Sequence, residues 1–193
     1  MEEKNLKENL KPGNEGQEEL LKNFAAGDKR AFSEIMKKYR HKALNFAYRF
    51  LGDMDEAEDA AQDCFVKMYF NHKKYELSRP FEPWFYSILA NCCRDRIRRQ
   101  TRFAIFAERF KMQAATSESR TGTIAEDYSR IFAQAMQKLA PDKREIIALR
   151  FTQDLSYQEI AEALGINQGT VMSRLFRAKK DLEKILKGMG VID

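Results

Sequence analysis

Apolar residues recur along most of the chain at spacings of three and four, which is the period of an amphipathic helix. The repeat is clearest over residues 32–50, 57–70 and 171–185. The early runs are separated by Gly27-Asp28 and Gly52-Asp53, pairs that favour the end of one helix and the start of another. No stretch alternates with period two for long enough to indicate a strand. The pattern therefore predicts an all-α chain.

Composition divides the predicted helices into two groups. Residues 1–16 are polar and contain a Pro-Gly pair, which predicts a mobile N-terminal tail. Lys111 to Ile124 is rich in Ala, Ser, Thr and Gly, as linkers are. We therefore predict two small helical bundles, residues 17–104 and residues 127–187, joined by a flexible linker of residues 105–126. The C-terminal bundle is small enough that contacts with a partner would add to its stability.

The segment from Leu155 to Leu182 predicts a helix-turn-helix inside the C-terminal bundle. Ser156 followed by Glu159 is a capping box that begins a short helix. Gly165 can adopt the left-handed conformation that ends this helix, and Asn167 is a favourable N-cap for the next one.

The second helix of this motif has two distinct stripes. One is apolar and predicts contact with a core: Val171, Leu175, Ala178, Leu182 and Ile185. The other is polar, with side chains suited to base edges and phosphates in the major groove: Thr170, Ser173, Arg174 and Arg177. An ordinary antiparallel helix pair with a solvated face is the alternative. The two caps, the glycine turn and the hydroxyl-arginine stripe together favour DNA binding.

Charge is unevenly distributed over the 193 residues, whose net charge is only +5. Residues 53–63 include six acidic and no basic residues, whereas residues 94–111 include seven basic and two acidic residues. This segregation indicates two partners of different charge. On one helix, a face that suits a basic protein is shared by Asp59, Gln62, Asp63 and Val66. The alternative is a solvated acidic face that is favourable near a helix N-terminus.

The segment from Pro80 to Arg102 combines aromatic residues with arginines. Aromatic rings beside cations are typical of single-stranded DNA binding, and Arg94, Arg98 and Arg102 lie four apart on one helix face. The alternative for Trp84 and Phe85, which we favour, is that they belong to the core.

Several classes of site are disfavoured. Cys64, Cys92 and Cys93 form neither a disulfide framework nor a metal-ligand spacing, and His41 and His72 are far apart, so we expect no metal site and no cofactor. The start of the chain has no signal-peptide pattern, and there is no apolar run near 18 residues. We expect a cytoplasmic protein without membrane insertion, whose cysteines are buried apolar residues.

The acidic segment, the aromatic-arginine segment and the helix-turn-helix, in this order, resemble the bacterial sigma factors of the extracytoplasmic-function (ECF) group, which contain only sigma regions two and four. The segment from Asp55 to Phe65 resembles the family's core-polymerase-binding signature, Pro80 to Arg102 its promoter-melting region, and Leu139 to Leu182 its region four. The resemblance covers residues 18–186. Two positions depart from it: Met172 stands where relatives often carry Lys or Arg, and Phe176 where many carry His.

The resemblance implies a factor that binds core RNA polymerase and directs transcription from specific promoters, with an anti-sigma factor as a further partner and no small-molecule substrate. The implied polymerase-binding residues are Asp55, Glu58, Asp59, Gln62, Asp63 and Phe65. Those implied for the melted −10 element are Asn71, Lys73, Lys74, Trp84, Asn91, Arg94, Arg98, Arg99 and Arg102. Those implied for the −35 duplex are Ser156, Gln168, Thr170, Ser173, Arg174, Arg177 and Lys180.

Two other classes of function compete with this interpretation. An autonomous helix-turn-helix repressor would bind its operator alone and would need neither the acidic helix nor the aromatic-arginine segment. A nucleic-acid enzyme would need a clustered catalytic set, which the sequence does not indicate, so we expect no enzymatic activity.

Overall fold

The computed structural model describes the backbone of residues 14–109 and 124–192, and the side chains of residues 16–103 and 130–192. Within these ranges the chain forms eight α-helices and no strand, which confirms the all-α prediction. The helices are α1 (Asn14–Ala25), α2 (Lys29–Leu51), α3 (Met54–Phe70), α4 (Phe81–Arg109), α5 (Ile124–Gln137), α6 (Pro141–Ile147), α7 (Tyr157–Leu164) and α8 (Gln168–Gly188). A 3-10 turn, His72–Lys74, follows α3, and a π-helical turn, Ala148–Thr152, follows α6. No described helix is long and apolar enough to cross a membrane.

The N-terminal bundle is built on α2, α3 and α4, with α1 packed against α2. Asp28 begins α2 by accepting hydrogen bonds from the backbone N–H groups of Arg30 and Ala31. Asp53 begins α3 in the same way, through the N–H of Glu56 at 2.9 Å, as the sequence predicts. The core between the helices is largely aromatic and includes Phe46, Phe50, Phe85 and Tyr86, none of which is exposed.

The C-terminal bundle contains the predicted helix-turn-helix as α7 and α8. Ser156 and Glu159 form the capping box, and Gly165 ends α7 with a φ of 65°. Asn167 begins α8 by accepting from the Thr170 N–H at 2.8 Å. The predicted apolar stripe of α8 is buried from Val171 to Leu182, and Ile185 beyond it is half-buried.

Some helix boundaries differ from the sequence prediction. Helix α1 begins at Asn14, inside the residues predicted as a tail. Helix α4 begins at Phe81 and contains Pro83 in its first turn. Pro83 fits there because the missing N–H of proline costs no helical bond in the first turn. Helix α4 also continues to Arg109, into residues 105–126 that were predicted as the linker, and α5 begins at Ile124 within the same range. Residues 1–13 and 110–123 lie outside the described residues, so the tail and the middle of the linker stay predictions.

The two bundles pack directly against each other and share one continuous hydrophobic core. The first helix of the helix-turn-helix, α7, lies on α4, and α5 and α6 contact α2. The buried Arg144 of α6 donates to the carbonyl oxygens of Phe50 at 2.8 Å and Leu139 at 3.2 Å. At the end of α2, Gly52 has a φ of 80°, and a Cβ at this position would overlap the Gln137 side chain of α5. The sequence pattern does not predict this packing.

Candidate nucleic-acid and partner-protein interfaces

Helix α8 presents a basic surface on the side away from the core. Ser173, Arg177 and Lys180 are exposed there, and Gln168 is exposed at the first residue of the helix. The Arg177 guanidinium donates through Nε to the Ser173 carbonyl on its own helix. These four residues lie where the sequence predicts a surface for duplex DNA.

The side chains of three other residues predicted for the duplex make contacts within the protein. The Ser156 hydroxyl belongs to the capping box, where it donates to Glu159 at 2.6 Å. The Thr170 hydroxyl donates to Asn167 Oδ1 at 2.7 Å. Arg174 is half-buried, and it lines a cavity between the bundles together with Arg94 and Glu145. Arg174 therefore faces the other bundle rather than the exposed side of α8.

Three of the α4 arginines predicted to bind the −10 strand, Arg94, Arg98 and Arg102, already have partners. Arg94 forms an ion pair with Glu145 of α6 at 2.7 Å and donates to Asn91 at 2.6 Å. Arg98 pairs with Asp95 at 3.3 Å, and Arg102 donates to the Arg98 carbonyl at 3.3 Å. Glu145 is buried, and this burial raises the pKa of its carboxyl group although the Arg94 charge acts in the opposite direction.

The segment between α3 and α4 is fixed at its base and exposed at its tip. Asn71 donates to the Lys67 carbonyl at 2.7 Å, and Tyr75 is buried and donates to the Arg79 carbonyl. Lys73 and Lys74 are exposed, as a role in binding phosphate would require. Trp84 is half-buried against Tyr75, with 5.2 Å between ring centroids, and Phe85 is fully buried. The core interpretation is therefore right for Phe85, whereas Trp84 keeps part of its surface accessible.

One arginine gathers three carboxylates of the acidic helix. Arg96 of α4 donates to Glu56 at 2.8 Å, to Asp59 at 3.0 Å and to Asp63 at 2.9 Å. Burial lowers the pKa of Arg96, but its hydrogen bonds to the three carboxylates outweigh that effect and raise it. Asp59 and Asp63 thus help to hold α3 against α4, in addition to being accessible on the surface.

The other side of α3 borders an apolar groove shared with α2. Its apolar lining includes Phe32, Met36, Val66 and Phe70, and Gln62 lies along it. Val66 and Phe70 are unusually exposed for apolar residues, at 54% and 77%. A second hollow beside it contains Arg40 and Glu58. Helical periodicity places Val66 on the predicted partner face, but it does not indicate that α2 completes a groove there or that Phe70 is exposed.

Phe65 lies at the base of this groove and is mostly buried. The sequence comparison placed it among the residues that bind polymerase, but only 7% of it is exposed, and its ring packs 6.0 Å from that of Phe85. A phenylalanine on the inner face of α3 is retained by the core, so only its edge can contribute to the groove. The polar residues assigned to the same surface, Asp55, Glu58, Asp59, Gln62 and Asp63, are all exposed.

All three cysteines lie in the protein interior as free thiols. Cys64, Cys92 and Cys93 are buried, and burial raises the pKa of each thiol. Among the residues whose side chains are described, no group of three or more His, Cys, Asp or Glu could hold a metal ion.

Comparison with known families gives two matches that follow the two bundles. Residues 35–103 match the model of sigma-70 region 2, and residues 129–182 match that of sigma-70 region 4. The ECF RNA polymerase sigma factor SigW of Bacillus subtilis is 34% identical over 179 residues, which cover 88% of this chain and 96% of SigW. The ECF sigma-E factor of Escherichia coli is 29% identical over 174 residues, 85% of this chain and 91% of that protein.

Solved structures agree with these matches. The sigma factor RpoE of Bartonella quintana, crystallised with the anti-sigma factor NepR, superimposes with a TM-score of 0.66 at 26% identity, over 81% of this chain and 96% of RpoE. CnrH, solved with the cytosolic domain of CnrY, has a similar fold, with a TM-score of 0.68 at 24% identity over 89% of this chain and 97% of CnrH. The order of the two matched regions and the near-complete coverage of SigW lead to one conclusion: the chain belongs to the ECF RNA polymerase sigma factors, which direct promoter-specific transcription.

Proposed function

We propose that the N-terminal bundle binds core RNA polymerase through α2 and α3 and holds the melted −10 strand along α4, while α8 reads the −35 duplex. The observation that carries this assignment is the separation of two surfaces within one chain. An acidic and apolar surface lies along α2 and α3, and a basic surface lies along the exposed side of α8. Protein partners favour the first composition, and DNA phosphates favour the second.

For polymerase binding, the groove and its acidic border form the proposed contact surface. Exposed Val66 and Phe70 provide apolar area, and Glu58 with Gln62 provides polar contacts beside it. Asp59 and Asp63 lie on the side of α3 that faces α4, where Arg96 orients them. Phe65 supports this surface from beneath.

For the −10 element, the proposed contacts are the exposed Lys73 and Lys74, the accessible part of Trp84, and the α4 residues Asn91, Arg94, Arg98, Arg99 and Arg102. Half-buried Asn71 would support the loop by capping α3. Extruding a base from the duplex costs a few kcal/mol, which ring stacking and phosphate contacts would offset.

The bundles must separate for the full promoter to be read. Arg94, assigned to the −10 element, and Arg174, assigned to the −35 element, line one cavity. The two elements lie about 25 base pairs apart, which is about 85 Å along the duplex at about 3.4 Å per base pair. Two side chains on one cavity cannot reach both elements at once, so we assign the packed arrangement to the protein when it is off the promoter.

The experiment that tests the assignment is promoter-dependent transcription with purified core polymerase. The full chain should support run-off transcription from promoter fragments that core polymerase alone does not use. The double variant Glu58→Lys/Val66→Asp should lose co-purification with polymerase, whereas Glu34→Lys, an exposed change on the other side of α2, should keep it. Unchanged binding by the double variant would reject the proposed surface.

The remaining partners follow from the same assignment. An anti-sigma factor is proposed because solved relatives are complexes with such proteins. Because its proposed partners are core polymerase and promoter DNA, we place the protein in the cytoplasm. We assign it no covalent chemistry, because core polymerase would make the RNA.

A further inference from the structure

Two large apolar side chains project from the otherwise polar side of α8. Phe176 is 71% exposed and Met172 is 54% exposed. They lie four residues apart, so they are neighbours on one helix face. Isolated exposed apolar residues are common on protein surfaces, but an adjacent pair on the proposed DNA-binding helix is a distinct feature.

The surroundings of this pair are basic and polar. Ser173, Arg177 and Lys180 are exposed on the same side of the helix, with Phe176 three residues after Ser173 and four before Lys180. At about 100° per residue, Phe176 lies roughly 120° from the buried stripe that includes Val171 and Leu175. A polyanion that approaches Arg177 and Lys180 would therefore meet the Phe176 ring as well.

Within the major groove, the edges of the bases are polar except for one group, the 5-methyl of thymine, and apolar side chains are the groups that contact it. We propose that Phe176, supported by Met172, contacts the methyl group of a thymine in the −35 element and is a specificity-determining residue. The proposal rests on the proposed function, in which α8 enters the major groove. The ring is accessible without any change in α8 itself, unlike the half-buried Arg174.

The test removes only the methyl group. A −35 duplex is first selected from a randomised pool with holoenzyme made from the full chain and core polymerase, and each thymine is then replaced in turn by deoxyuridine. Affinity of the holoenzyme for each duplex is measured by fluorescence anisotropy. At one thymine, or at two adjacent ones, the wild-type holoenzyme should bind the deoxyuridine duplex about fourfold more weakly, which corresponds to one buried methyl group.

The variants assign that effect to the ring. Phe176→Ala should bind the thymine and deoxyuridine duplexes equally, and Phe176→Leu should keep part of the preference. Phe151→Ala removes another ring that is 56% exposed but lies outside α8, and it should keep the full preference. Equal binding of all duplexes by the wild-type holoenzyme, or an undiminished preference in Phe176→Ala, would overturn the proposal.

The selection step separates this proposal from the function on which it rests. If no −35 sequence is enriched, the assignment of α8 to the −35 element fails, and the methyl contact fails with it. If a sequence is enriched but no thymine methyl matters, or it contains no thymine, only the methyl contact is rejected.

Discussion

Helices α4 and α8 both carry arginines, but the surroundings of these arginines differ. On α4, Arg94 and Arg96 are committed to acidic residues of other helices, and Arg98 to Asp95 of its own. On α8, Arg177 is exposed and bonds only a carbonyl of its own helix among its described contacts. Substitution of Arg94 on α4 therefore changes stability and DNA binding together, whereas for Arg177 on α8 the two effects are separable.

The reason for the difference is position in the fold. Helix α4 packs against α3 on one side and against α7 on another, so its first half faces protein, whereas residues 98–103 are exposed. Helix α8 is the last helix of the chain, and one side of it has no described neighbour to satisfy its cations. A central helix that also binds DNA must exchange internal partners for phosphates, and this exchange reduces the net gain from binding.

The largest expected effect is at the contact between the bundles, which keeps Arg94 on Glu145. Gly52→Ala should lower the free energy of unfolding by about 3 kcal/mol, because the residue has a positive φ and its Cβ would overlap the Gln137 side chain. Urea unfolding measures the loss. Gly165→Ala is the matched control: its φ is also positive but no atom lies near its Cβ, so it should lose only about 1 kcal/mol.

A second change identifies the overlap as the cause. Gln137→Ala in the Gly52→Ala background should recover part of the stability, because it removes the overlapping atoms. Equal losses for the two glycine variants would show that the packing of the bundles does not depend on this contact.

The next effect is on α4 itself. Arg96→Ala should lower the free energy of unfolding by about 2 kcal/mol, since three carboxylates of α3 lose their shared charged donor. Arg96→Lys should recover only part of it, because an ammonium group lacks the planar fork of a guanidinium.

Arg99→Ala is the control for Arg96→Ala, because Arg99 is exposed on the same helix. The free energy of unfolding of the Arg99→Ala variant should differ from that of the wild type by less than about 0.5 kcal/mol. If Arg96→Ala were as stable as Arg99→Ala, α4 would resemble α8 in having cations that are free for DNA, and the contrast would be lost.

On α8 the expected effect is smaller and falls on binding. Arg177→Ala should weaken binding of holoenzyme to the −35 duplex by about 1–2 kcal/mol and leave the free energy of unfolding within about 0.5 kcal/mol of wild type. Anisotropy and urea unfolding measure the two quantities. Lys187→Ala, at the far end of the same helix, should change neither. A loss of stability larger than the loss of affinity would contradict a purely external role for Arg177.

How far the sequence predicts the structure depends on how local the interaction is. The Ser156–Glu159 capping box and the Asn167 cap span three residues, and both were predicted correctly. The bond from Arg144 to the Phe50 carbonyl joins residues 94 apart, and no pattern within one helix indicates it. Phe65 shows the same limit, because its assignment to the surface came from a motif and its burial came from the position of α4.

The candidate sites show the same difference between features of one helix and features that need several helices. The −35 surface lies on one helix, so helical periodicity locates Ser173 and Arg177 correctly on the exposed side, although it assigns half-buried Arg174 to the same stripe. The proposed partner groove needs α2 and α3 together: the pattern of α3 places Val66 on the partner face, but it does not indicate exposed Phe70 or the α2 side of the groove. The contact between Arg94 and Glu145 needs both bundles, so the sequence could give the charges but not the pairing.

The smallest expected effect is a dependence on pH that comes from Glu145. Burial raises the pKa of Glu145 in the folded protein, so the native state binds more protons than the unfolded chain above the ordinary value of 4.5. The contribution of Glu145 to stability should therefore be fully present below that pH and be lost as the pH rises through its raised folded pKa. Glu145→Gln should remove this slope from a series of urea unfolding curves.

Asp181 supplies the control of opposite sign in the C-terminal bundle. Its hydrogen bond from Lys143 lowers its pKa, so its contribution is present above the ordinary value of 3.8 and is lost as the pH falls through its lowered folded pKa. Asp181→Asn should therefore remove a slope only on the acidic side. If Glu145→Gln kept the wild-type slope, the burial of Glu145 between the bundles would be excluded, and with it the internal pairing that distinguishes Arg94 of α4 from Arg177 of α8.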